Sequence, residues 1–243
     1  MKKRDAEQAG PHREPRPPFD PDRSQSVHDL GFALLTRFER TGDFKNLEES
    51  IRCGREALEL RYPFHPHRDT SLLNHANALG QRFRQTADFE DLDESIRCSQ
   101  ESLELRPVPH PQRVLSLNAL GNGLFTRFIR KGDIKDLQEC IRCHKEALEL
   151  RPSPHPDRHF LVNCLGNLLS RRFRKMGNFE DLDESIRYHR EALELSPAPH
   201  PDRILTLNSL INVLSTRFKE KGDIKDLDES IRCRREELEL RPT

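Results

Sequence analysis

No run of apolar residues in this chain approaches the ~18 to 20 that a membrane span requires. The basic N-terminal stretch MKKRDAEQAGPHREPRPP is followed by no apolar segment of a secretory leader. A soluble, cytoplasmic protein without membrane contact is expected. Charge of one sign is missing too: 41 lysines and arginines stand against 41 aspartates and glutamates, so no global field favours nucleic acid. Apolar residues fill only 34% of the 243 positions, which is thin for one large core. The six cysteines form no dense framework and fit a reducing compartment where thiols act as small apolar side chains, so no disulfide is expected. A phosphate-cradling GxxxxGKS/T loop is absent, and no nucleophile, base and orienter stand out together. No catalytic residue, metal site or cofactor is therefore expected, and the chain does not read as an enzyme.

What is present is repetition. The motif FDPDR at Phe19 returns as FHPHR at Phe64, PHPQR at Pro109, PHPDR at Pro154 and PHPDR at Pro199, always 45 residues on. The units are 19–63, 64–108, 109–153, 154–198 and 199–243, without insertion or deletion, and residues 1–18 form a proline- and charge-rich tail expected to be disordered.

In the third unit Leu117, Leu120, Leu124 and Phe128 make the stripe of an amphipathic helix A. Leu137, Ile141 and Leu148 make a second stripe, on helix B, and Cys140, Cys143, Ala147 and Leu150 an adjoining face of mostly small residues. Helix B is thus expected to bury one face inside its unit and one against the next. Between the helices, Gly132 suits a left-handed C-terminal position, Asp133 can cap helix B, and Asp136 lies in its positive first turn. Ala87 replaces that glycine in the second unit, which predicts either local strain or a different turn. Pro109 and Pro111 stop one unit's helix B and suit the start of the next helix A. Helix pairs this short must stack to bury a core, so the fold class is all-α: an α-solenoid of about ten helices.

Leu120-Gly121 of helix A and Ala147, Leu148 and Pro152 at the end of helix B resemble the tetratricopeptide repeat (TPR), whose usual period is 34 residues. Here the period is 45, the surplus falling in helix A and the turns. The resemblance covers Phe19 to Thr243 and is nearest to the long units of the kinesin light chain kind and to the arrays of fungal CHAT-domain or nucleotide-binding proteins. It implies a right-handed superhelix and a non-catalytic scaffold that binds a protein or peptide. An alternative it carries is a regulatory or sensor array of a larger signalling protein whose effector domain is absent from this chain.

Helix A holds the candidate site. Asn118 and Asn122 are i, i+4 partners rotated away from the Leu120/Leu124 stripe, and Asn163 with Asn167 and Asn208 with Asn212 repeat the pair. Asn77 supplies half of it in the second unit, beside Leu73, and the first unit departs with His28 and Phe32. By the resemblance, helix A lines the concave groove and such amides hold the backbone of an extended peptide. The alternative is that they bond to one another between adjacent A helices and only satisfy the stack.

Other motifs read as structure. CIRCH, Cys140 to His144, spells a haem-attachment signature, but Cys143 belongs to a column with Cys53, Cys98 and Cys233. The turn histidines His65, His110, His155 and His200 lie one unit apart, too far to share a metal, and are expected to cap or pack the turn. Arg142 with Glu139, Glu146 and Glu149 reads as a solvated stripe of weak pairs. At the last unit Glu237 replaces Ala57, Ser102, Ala147 and Ala192, and Ile211 replaces Gly31, Ala76, Gly121 and Gly166. A glutamate there is expected to face water as a cap, and an exposed end leaves end-to-end dimerisation open.

Overall fold

The computed structural model describes residues 21–241, so the tail 1–18 lies outside the described residues. Among those described there are ten helices and no strand. The A helices are α1 (Pro21–Thr41), α3 (Arg68–Thr86), α5 (Arg113–Lys131), α7 (Arg158–Met176) and α9 (Arg203–Lys221). The B helices are α2 (Phe44–Leu60), α4 (Phe89–Glu104), α6 (Ile134–Glu149), α8 (Phe179–Leu195) and α10 (Ile224–Leu240). Each of the first four B helices packs on its own A helix and on the next one, α10 packs on α9, and successive B helices meet only through long side chains such as Lys145 and Glu184. The result is the expected all-helical solenoid.

Local chemistry sets the hairpins. Gly42, Gly132, Gly177 and Gly222 end their A helices at φ of +70 to +77°, where a side chain would be strained. Ala87 takes the same left-handed turn at φ +58°, so of the two expectations it is the strained backbone and not a different turn. Asp43, Asp88, Asp133, Asn178 and Asp223 then cap the B helices, each side chain accepting the backbone N–H two residues on. The apolar stripes meet in the interior: Leu117, Leu120, Leu124 and Phe128 join Leu137, Ile141 and Leu148 in a cluster that continues from Phe83 in the second unit to Ala192 in the fourth.

Two arginine columns tie the units. The arginine that closes the opening motif reaches three helices. Arg113 Nη1 donates to Leu103 O (3.2 Å) and Arg106 O (2.7 Å) at the end of α4, while its Nε donates to Glu146 on α6 (2.5 Å). Arg68, Arg158 and Arg203 do the same one unit earlier or later. Carbonyls at the end of a helix therefore receive charged donors, which prolines cannot supply. Glu146, expected on a solvated stripe, is thus half-buried and shared between Arg113 and Arg142. The second column is the arginine of the Arg-Phe pair. Arg82, Arg127, Arg172 and Arg217 grip the buried first-turn aspartates Asp91, Asp136, Asp181 and Asp226 through two nitrogens each. Three of them also reach the preceding B helix, at Glu48, Asp93 and Asp183.

Replacing Arg113 by Met keeps the apolar stem but takes the charged donor from Leu103 O and Arg106 O and leaves Glu146 with Arg142 alone. We expect a loss of about 2 kcal/mol or more in urea unfolding, against little change for Arg142→Met, whose pairs are exposed.

Candidate functional site

The A helices line one side of the array, and the seven asparagines divide there into two kinds. Asn77, Asn122, Asn167 and Asn212 are exposed, while Asn118, Asn163 and Asn208 are half-buried. The second column does not point away from the contact inside the unit, as the periodicity suggested. Asn163 Oδ1 accepts from His189 Nδ1 on α8 at 2.9 Å, and Asn208 Nδ2 donates to Glu237 Oε1 on α10 at 3.2 Å. An i−4 offset turns these amides 40° toward helix B, enough for a long B-helix side chain to reach them. No asparagine bonds to an asparagine of a neighbouring A helix in the described residues' hydrogen bonds. In the first unit His28, at the column of Asn118, bonds instead to Ser71 and Asn74.

The groove is widest between the third and fourth units. α1 and α3, α3 and α5, and α7 and α9 touch, whereas α5 and α7 bring no Cα pair within 8 Å. The gap holds a pocket of about 600 Å³, with Asn122, Asn167 and Asn212 along it and Cys140, His144 and Cys164 lining it too. Phe125 and Arg171 stand across it, the guanidinium 5.4 Å from the ring centroid. Arg171 and Arg174 are the charged lining residues and no carboxylate accompanies them. Seven residues before each asparagine, on the same helical face, the exposed side chains of Leu115, Phe160 and Leu205 form an apolar row. A second pocket, of about 390 Å³, continues along α1, α3 and α5 past Asn77 and shares Asn122.

His144 lines the larger pocket from helix B, and His189 is its counterpart one unit on. His144 and His189 lie flat against Gly121 and Gly166, where a Cβ would come within 2.6 Å of either ring. In the second unit the same columns hold the smaller pair Ala76 and Ser99. His75 instead fills the room over Gly54. These matched sizes were visible in the sequence as two columns that change together, a signal the reading by periodicity passed over. Burial holds the three rings neutral, and His189 is pushed down to about 4.

Burial disfavours the thiolate at the cysteines. All six are free thiols, and burial pushes Cys98 and Cys164 up to about 11 and Cys143 up to about 12. Such thiols stay protonated at neutral pH. The turn histidines cap as expected: Nδ1 of His65, His110, His155 and His200 accepts the N–H two residues on. His200 also lies near His159 and Asp202, with potential ligand atoms within 4.8 Å. Its Nδ1 lone pair is already taken by the Asp202 N–H. Glu237 corrects an expectation. It is 1% exposed, not turned to water, because Arg234, Arg241 and Asn208 converge on its carboxylate and hold it below the usual carboxylate range.

No family model matches the sequence, and no curated protein matches it. Solved structures do. A MamA protein is 14% identical over 91% of this chain and 97% of its own, with a TM-score of 0.58. A Podosopora anserina putative kinesin light chain with nearly identical TPR-like repeats is 15% identical over 88% and 96%, with a TM-score of 0.59. YrrB, described as a TPR protein with an unusual peptide-binding site, is 13% identical over 87% and 91%, with a TM-score of 0.54. At these identities the likeness defines the fold, a TPR-like helical-repeat solenoid.

Because the folded rings of His144 and His189 resist protonation and unfolded histidine titrates near ~6.5, their contribution is full above that pH and is lost as pH falls toward 4. His189 alone accounts for at most about 3 kcal/mol of this loss. Urea midpoints at pH 7.5 and 4.5 measure it. The Gly166→Ala, His189→Ser double variant, which copies the Ala76/Ser99 pair, should show a shallower acid dependence.

Proposed function

We propose that the chain is a non-catalytic protein-interaction array that holds an extended peptide segment along the groove of α5, α7 and α9. The observation that carries this reading is the gap between α5 and α7, bordered by the exposed amides of Asn122, Asn167 and Asn212. A side-chain amide donates and accepts at once and so pairs with a peptide unit. Spaced one unit apart, these three can follow a backbone laid across the A helices. One edge of such a segment meets the apolar row of Leu115, Phe160 and Leu205, and the other meets Arg171 and Arg174. The favoured partner therefore carries apolar side chains on one edge and a carboxylate on the other. Asn77 extends the same surface toward the N-terminal units. Asn118, Asn163 and Asn208 belong to the supporting layer beneath it, where Asn163 and Asn208 hold helix B residues.

A random peptide display library panned on the intact protein tests this. Selected peptides should be acidic and should bind roughly tenfold or more weakly to an Asn122→Ala, Asn167→Ala, Asn212→Ala variant. Its melting temperature should match wild type, since all three side chains are exposed. Unchanged affinity, or selection of basic peptides, would remove the groove reading.

A further inference from the structure

We propose that copies of this chain associate head to tail, the outer face of α10 in one copy packing on the outer face of α1 in the next. This is independent of the groove reading. The template for the contact lies inside the chain, because the same columns form each junction between a B helix and the following A helix. At those junctions Ile51, Ile96, Ile141 and Ile186 are buried against residues such as Ala78, Gly123, Leu168 and Val213. On α10 the corresponding Ile231 is 43% exposed and Leu238 64% exposed. On α1 the matching positions are Val27, Leu30 and Ala33, of which Leu30 is 49% exposed. Each uncovered face is the half-junction that the other completes.

The charges match in the same register. Arg82–Glu48, Arg127–Asp93 and Arg217–Asp183 pair residues 34 apart across three interior junctions, and 34 positions beyond Asp228, counted into the first unit of a second copy, stands Arg37. Both are exposed. Arg55–Glu94, Lys145–Glu184 and Arg190–Glu229 pair B helices, and the same step from Arg235 reaches Glu49. Arg23 already holds Glu56 through Nε and Nη2, in the pose from which Arg68, Arg113, Arg158 and Arg203 donate Nη1 to the preceding B helix. In a stack it would meet the carbonyls of Leu238 and Arg241. Because the two faces differ, the contact is heterologous and, unless it closes, grows into open assemblies. Without a connecting turn, and with only one apolar strip at each end, the association depends on concentration.

Sedimentation velocity across a concentration series tests the idea through a charge cycle. Wild type should grow in mass with concentration. Arg37→Glu and Asp228→Arg should each weaken association, by roughly threefold to tenfold at low salt, and the double reversal Arg37→Glu, Asp228→Arg should restore it. The two positions lie at opposite ends of one chain, so rescue reports a contact between copies. Leu238→Lys should shift the protein to monomer with an unchanged melting temperature. A wild type that stays monomeric at the highest concentration, or association that the single reversals leave untouched, would overturn the proposal.

Discussion

One side chain per unit, the arginine that closes the PHPDR-type motif, holds the array together. It lies at the start of helix A, caps the end of the preceding helix B with two donors, and pairs with a glutamate on its own helix B. A stack of helix pairs has no long-range contacts to fix it, since each unit meets only its neighbours. The orientation of each unit on the last must then be set at the junction. A planar guanidinium with five donors can satisfy two carbonyls and a carboxylate at once, which a lysine cannot. Below it the arginine that follows helix B's Glu-Leu pair is buried in the first two units: Arg106 bonds to Asp69 and Ser116, and Arg61 to Ser71.

That rigidity explains how the groove can be uneven without the stack failing. The junctions repeat at every step, while the concave columns are free to vary. Phe125 takes a place held elsewhere by Leu35, Gly80, Ser170 and Ser215. Beside it α5 and α7 separate, and the largely buried His144 and Cys164 line a pocket bordered by α5, α7 and α9. Open surface is created where packing between A helices is given up, while each B helix stays packed on its own A helix.

The site was only half legible in the sequence. The period and the helix A stripe placed the asparagines on one helix, and Asn77, Asn122, Asn167 and Asn212 are exposed there and line the two pockets. Asn163 and Asn208 do not, because a one-turn offset leaves their direction to whatever helix B presents, His189 in one unit and Glu237 in another. A helical wheel resolves the core face sharply and its borders poorly. The same limit applies to Glu237, whose charge suggested water and whose two arginine neighbours allow burial instead.

The sequence by itself determined the period of 45, the two helices per unit, the turn at Gly132 and its equivalents, and the all-helical stack. These follow from local rules of periodicity, φ preference and capping, which act within a few residues. Only the tertiary structure decided where the stack opens, which amides stay exposed, that His144 and His189 rest on glycines, and that the charges left over at the two ends fall in the register of the interior junctions. Those depend on the sizes and directions of side chains that meet from different helices, and no single helix specifies them.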